Sequence, residues 1–312
     1  MNRTSKSLSS IVLYSIIAAA FIGPGTITTA VTAGSRYQLQ LLWAVAFSIL
    51  ACIIIKEIAA RLTLASELTI GEAIEKKFGT KSGYWIKLVM GGTVILGCAA
   101  YEAGNILGAV SGIELLIGGD TRIYALIVCG AAGLILWSEK RKILSRAMTF
   151  FVLLMGVAFI SLAMNSKFSV SDILISLSNI NILPGSELIA LGLVGTTIVP
   201  YNLFIASGIG AGQSIQGMRV GLITSILIGG AITATILLAG TVVSSFSSFE
   251  ELYGFFNRKR AHGEPSLLLL AFLLRGFLHP LPRPMRHLSL PKRCLEVNVK
   301  FWSEQPGWRY WR

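Results

Sequence analysis

The sequence predicts an all-α, polytopic membrane protein. Three observations carry this. Of its 312 residues, 54% are hydrophobic and only 13% charged, whereas soluble domains carry about 25% charge. Several apolar runs approach or exceed the ~20 residues that cross a hydrocarbon core. Two of those runs are broken in the middle by proline motifs, Gly23-Pro24-Gly25-Thr26 and Val199-Pro200-Tyr201-Asn202.

Seven spans are expected: Ile11–Thr32, Leu39–Ile58, Leu88–Ile117, Ile123–Trp137, Ala147–Met164, Leu188–Gly212 and Val220–Val243. The first and sixth contain the breaks. Proline removes a backbone donor and clashes with the preceding turn, so a helix opens there. In a bilayer the freed groups are tolerated only where they face protein or line a cavity. A pair of interrupted spans is therefore the sequence pointer to the substrate site of a secondary transporter. The thirty-two glycines suit close helix packing in lipid. No cleavable signal peptide is expected, because the apolar stretch after Ser10 is too long and lacks a clear cleavage site.

Loop charge sets the orientation. Lys56, Arg61, Lys76, Lys77, Lys81 and Lys87 follow the second span, and Lys140, Arg141, Lys142 and Arg146 precede the fifth. The positive-inside rule places both loops, and the amino terminus with Arg3 and Lys6, in the cytoplasm. The expected location is the inner (plasma) membrane, multi-pass. The seventh span then ends outside.

Beyond residue 253 the composition changes. Residues 254–312 hold eleven Lys/Arg against three acids, all three histidines and six of the nine prolines. A basic tail on the outer face contradicts the derived topology. A nucleic-acid or anionic-lipid arm would explain the charge, but the tail also carries the apolar run Leu267–Leu274 and a Trp-rich end, without periodicity. The preferred account is translation in a shifted frame. Codons permitted by Leu274–Met285, read one nucleotide earlier, can give AAGFSSSITAPY, a string typical of a transmembrane helix. The expected domains are a transmembrane region, 1–253, and a frameshifted basic tail, 254–312. No nucleic-acid partner is expected.

At the breaks, half-helix ends present bare carbonyls and amides. The first break offers Thr26 and carbonyls near Phe21 to Gly23. The second offers Asn202, Tyr201 and the carbonyl of Thr196, one turn before Pro200. Facing one another, these make an oxygen-lined site; a pair of ordinary proline kinks is the plainer alternative. Glu102 is the one carboxylate deep in an apolar span, with Asn105 on the same helical face. An intramembrane acid suits proton carriage, or is held neutral by a neighbouring helix. Glu57 and Arg61 read as an i,i+4 ion pair with Lys56 beside them, snorkelling, and Glu67, Glu72 and Glu75 as a solvated face. Cys52, Cys98, Cys129 and Cys294 read mainly as small buried hydrophobes. No metal-ligand spacing of His or Cys, nucleophile elbow or phosphate loop appears. An enzyme and a cofactor are not expected.

The two breaks, their spacing, and the stretches LLWAVAFSIL, GAVSGIELL and GTTIVPYNLF resemble the natural resistance-associated macrophage protein (NRAMP) family of divalent metal transporters, over about residues 8 to 253. The reframed tail is similar to that family's eighth helix. The resemblance implies a LeuT-like fold of five plus five inverted helices, of which about seven are present here. It also implies proton-coupled uptake of Mn²⁺ or Fe²⁺. The family motifs DPGN and MPHN stand here as GPGT and VPYN. By position, the metal-binding Asp becomes Gly23, the Asn becomes Thr26 and the Met becomes Val199. The coordinating carbonyl falls on Thr196 and the sixth-helix His becomes Tyr201, while Asn202 is retained. The third-helix acidic pair is matched by Glu102 and Asn105.

These departures leave neutral oxygens. Val199 removes the thioether that transition metals favour, and Gly23 removes the carboxylate that offsets dehydration of a divalent ion. The implied function is an NRAMP-type secondary transporter with a degraded metal site; Thr26 and Asn202 are at most weak metal ligands. The alternatives are an NRAMP-like carrier for a substrate other than a transition metal, and a scaffold that keeps the fold without transport. The partners implied are a small inorganic cation, protons and the lipid bilayer. With only the start of a second repeat, the chain as it stands is expected not to transport.

Overall fold

The computed structural model describes residues 22–137, 141–209 and 214–243, together with Phe246. Among these, regular structure is entirely helical. Residues 1–21, the start of the expected first span, and 254–312, the expected basic tail, lie outside the described residues.

Helix α1, Pro24–Tyr37, begins at the first break. Gly23 caps it in extended conformation, with Pro24 in its first turn, where a missing N–H costs nothing. A one-turn 3₁₀ segment, Gln38–Leu41, leads into α2, Leu42–Ser66. Buried residues on α2 recur at helical spacing: Ala44, Ser48, Cys52, Lys56 and Ala60. Phe47, Leu50, Ile54 and Ile58 face outward. An outward stripe this apolar suits lipid rather than water. Lys56 therefore does not snorkel: it is 2% exposed and lies on the buried stripe, one turn after Cys52.

The expected Glu57–Arg61 pair forms, and Arg219 from a distant helix joins it at the same carboxylate oxygen. The Glu57→Gln variant is expected to lose about 1 kcal/mol, less in high salt, because both arginines are half exposed. Thermal melting at two ionic strengths measures this.

Helix α3, Ile70–Ile117, opens with a capping box in which Thr69 and Glu72 satisfy each other's backbone amides. Gly79 interrupts it at φ +75°, a conformation that favours glycine. The chain turns there so that Gly83 lies against the backbone of Glu75 and Lys87 reaches Glu75 at 2.7 Å. Glu72 and Glu75 are thus structural partners rather than a plain solvated face.

Helix α4, Thr121–Trp137, packs on α3 through Val128 against Ala109 and Val110. Helix α5, Arg141–Ala163, presents Val152, Met155, Phe159 and Leu162 to the main core. The short α6, Val170–Ser178, has a second capping box, and the Ser169 hydroxyl and amide hold the Asp172 carboxyl below its usual range. Helices α7, Glu187–Thr197, and α8, Pro200–Ile209, are the halves of the second interrupted segment.

Helix α9, Ile215–Gly240, packs against α1, α2 and α5. It does so through small residues: Gly34 of α1 lies against the Leu237 carbonyl and the Gly240 Cα, and Gly240 lies against the backbone of Val31. Lipid supplies no hydrophobic drive between helices, so such close backbone approach holds them together.

Among the described residues, four segments are long and apolar enough to cross a membrane: Pro24–Ser66, Ile70–Glu114, Glu187–Phe204 and Ile215–Gly240. Thr121–Leu134 and Leu154–Ala163 are shorter apolar helices. The expected first two spans run together as one apolar segment from Pro24, and α2 runs eight residues past the expected Ile58. Of the cysteines, Cys52 is buried, Cys98 half-buried and Cys129 exposed on α4, which corrects the expectation for Cys129. Cys294 lies outside the described residues.

Candidate functional site

Among the described residues, a helix starts at the first break, and one helix ends and another starts at the second. At the first, α1 starts, and its first closed turn is Ile27 N–H to Gly23 O at 3.0 Å. The Thr28 and Thr29 hydroxyls bond back to the carbonyls of Pro24 and Gly25. Thr26 is fully buried in that turn. At the second break α7 ends. Ile198 N–H closes onto Val194 O and leaves helical geometry. The Cys52 thiol from α2 donates to Thr197 O at 3.8 Å. Pro200 cannot donate, so the Thr196 carbonyl has no amide four residues on. The Thr196 hydroxyl itself is turned back to Leu193 O, 3.3 Å away.

Helix α8 then begins, and Asn202 N–H closes onto Val199 O at 3.1 Å. The Asn202 side chain is fully buried, and neither its nitrogen nor its oxygen has a hydrogen-bond partner. Buried polar atoms are seldom left so, and each such group calls for an explanation. Val199 is 3% exposed and offers only methyl groups.

Helix α3 closes the arrangement between the breaks, packing against both α1 and α8. Asn105, 1% exposed, donates from Nδ2 to Glu102 Oε2 at 3.2 Å. Its Oδ1 points at Gly23: a Cβ at that glycine would lie 2.8 Å from Asn105 Oδ1 and 2.8 Å from the Tyr101 hydroxyl. Tyr101 in turn meets Tyr201 of α8 edge to face, with ring centroids 6.0 Å apart. Gly23, Tyr101, Asn105 and Tyr201 are thus linked through direct contacts. Glu102 is half-buried beside them.

Tyr101 is the residue that sequence reasoning missed. Its signal was its position one turn before Asn105, on the same face of α3. Among the described residues, no three His, Cys, Asp or Glu side chains form a metal-binding group. The polar groups at the breaks and on the facing helix are hydroxyls, carboxamides, backbone carbonyls and one carboxyl. Such hard oxygen donors suit Mg²⁺ or Ca²⁺ better than transition metals.

Comparison with known proteins gives a consistent picture. Residues 15–254 match the family model described as natural resistance-associated macrophage protein-like. The divalent metal cation transporter MntH of Erwinia tasmaniensis is 27% identical over 225 residues, covering 71% of this chain and 53% of the relative. MntH of Bacillus subtilis is 26% identical over 249 residues, covering 73% and 56%. The chain thus spans about half the length of these curated relatives. A crystal structure of a point mutant of the Eremococcus coleocola manganese transporter superposes with a TM-score of 0.73 at 19% identity, over 94% of this chain and 69% of that one. The same transporter in complex with an aromatic bis-isothiourea substituted compound gives 0.73 at 20%, over 96% and 72%. At that identity the likeness shows the fold, a LeuT-like transporter architecture.

Proposed function

Because the chain belongs to the natural resistance-associated macrophage protein-like family, we propose that it is a membrane secondary transporter whose cation site, at the two helix breaks, binds Mn²⁺ and Fe²⁺ weakly. The observation that carries this reading is the pair of neutral positions at the breaks. Gly23 brings no carboxylate and the buried Val199 no sulfur, while Asn202 presents a buried, unpartnered carboxamide. A divalent ion sheds bound water only where charge or many oxygens replace it. With neutral oxygens alone, a cation that keeps part of its hydration shell, or carries less charge, is favoured over a fully dehydrated transition metal.

Glu102 and Asn105 form the proposed proton path. The Asn105 amide donates to the Glu102 carboxyl, and an acid inside an apolar span is a candidate proton carrier. The basic residues in the last turns of α2, the first part of α3 and the start of α5 favour a cytoplasmic face there.

Two measurements test the proposal. Calorimetry on the full chain with Mn²⁺ is expected to show no binding tighter than about 100 µM, which is roughly 5 kcal/mol; micromolar or tighter binding would sink the weak-site reading. Vesicle uptake with Mn²⁺, Mg²⁺ and Ca²⁺ under a pH gradient, by a form extended to complete the second repeat, is expected to show flux of at least one hard cation. A scaffold shows none with any of them.

A further inference from the structure

We propose that Tyr101 and Asn105 set the cation selectivity of the first break, by holding two neutral oxygens in the space that a ligand side chain at position 23 would occupy. The inference rests on the reading that the breaks form the cation site. It adds that the missing acid at position 23 and the residues of α3 are a matched set.

The geometry carries this. A Cβ built on Gly23 falls 2.8 Å from both Asn105 Oδ1 and the Tyr101 hydroxyl, and 3.4 Å from the Tyr101 ring carbon that bears it. Carbon and oxygen do not approach so closely without a shift. While both residues are in place, contacts on their far sides oppose a swing of either oxygen away from Gly23. The Tyr101 ring is braced edge to face against Tyr201. The Asn105 carboxamide is oriented by its Nδ2 bond to Glu102, which fixes Oδ1 on the Gly23 side. Gly23 itself is buried at the start of α1, with its carbonyl engaged by Ile27. A carboxylate introduced at position 23 would meet a second oxygen, Asn105 Oδ1, within its first shell. Steric overlap and oxygen–oxygen repulsion then act together against it.

Restoring the acid alone is therefore expected not to restore transition-metal binding. Making room on α3 first is expected to permit it. Tyr101→Ala removes the hydroxyl and the ring, which gives the Asn105 carboxamide room to turn off the new Cβ and remain as a further oxygen ligand.

A double-mutant cycle on the full chain in detergent tests this, with Mn²⁺ as the calorimetric probe. Gly23→Asp alone is expected to bind Mn²⁺ no better than the parent chain. Gly23→Asp with Tyr101→Ala is expected to bind at least tenfold tighter than either single variant. Equal affinity of Gly23→Asp with and without Tyr101→Ala overturns the inference. If Gly23→Asp alone does not fold, the double variant is compared with the parent. A tenfold gain supports the inference and no gain overturns it. Thermal melting of Gly23→Ala with and without Tyr101→Ala gives a metal-free readout. The added methyl should lower the melting temperature, and truncating Tyr101 should recover part of that loss; additive effects count against the inference. Micromolar Mn²⁺ binding by the parent chain would instead remove the weak-site reading, and the cycle would still report the coupling.

Discussion

Replacing Gly34 by alanine is expected to destabilise the protein by about 3 kcal/mol or more, at the upper end of overpacking effects. The reason is that the obstacle is backbone. A Cβ there would run into the Leu237 carbonyl oxygen and come within 2.9 Å of the Gly240 Cα. No side chain can rotate aside, so α1 and α9 must separate. Gly240→Ala meets the carbonyl and Cα of Val31, at 2.6 and 2.9 Å, and should behave in the same way. Gly91→Ala on α3 serves as the control, since nothing lies within 4 Å of its added methyl. Alanine in a helix is favoured over glycine by about 0.5–1 kcal/mol. Thermal melting of the three variants in detergent should therefore show two large losses and one small gain. A Gly34→Ala variant as stable as the parent would show that α1 and α9 are not in close backbone contact.

The second large effect is expected at Asn202, where stability and function should move in opposite directions. Leucine has the same branched shape and number of heavy atoms and no polar atoms, although its methyl groups are bulkier. Both polar atoms of Asn202 are buried without a partner, and leaving such groups unsatisfied costs about 1–3 kcal/mol. Asn202→Leu is therefore expected to leave stability unchanged or raise it by about 1 kcal/mol, the loss of two unsatisfied atoms outweighing the added bulk, while cation uptake by the form with a completed second repeat falls at least tenfold. A variant that keeps full uptake would remove Asn202 from the site. One that loses stability as well as uptake would mean that the carboxamide is a structural group.

Much of this was legible in the sequence because proline and hydropathy act locally. Pro24 and Pro200 mark helix starts wherever they occur, so the positions of α1 and α8 follow from chemistry within one turn. The Thr69–Glu72 cap obeys the same local logic, although as part of a supposed solvated face it passed unnoticed. What was hidden depends on contacts far apart in the chain. Lys56 reads as a snorkelling cation from its place near a helix end. Its i+4 register with Ser48 and Cys52 places it on the buried stripe instead. Arg219 joins Glu57 across 162 positions, and nothing near either residue announces the other. Tyr101 gains its meaning only from a glycine on another helix. Cys129 illustrates the converse: an apolar run in a membrane helix does not say which face is inward, and α4 buries little beyond Val128.

The approach to α7 is anchored to the corner between α1 and α2 by two hydrogen bonds. Tyr37 donates to Gly185 O at 2.7 Å, and the Trp43 indole donates to Asn181 O at 3.1 Å. On the face away from both breaks, the end of α1 and the lead-in to α7 are thus riveted together, and Thr29 of α1 touches Gly192 of α7 further along. Sliding the end of α1 past the lead-in to α7 therefore requires breaking the Tyr37–Gly185 bond, and parting α2 from that lead-in requires breaking the Trp43–Asn181 bond.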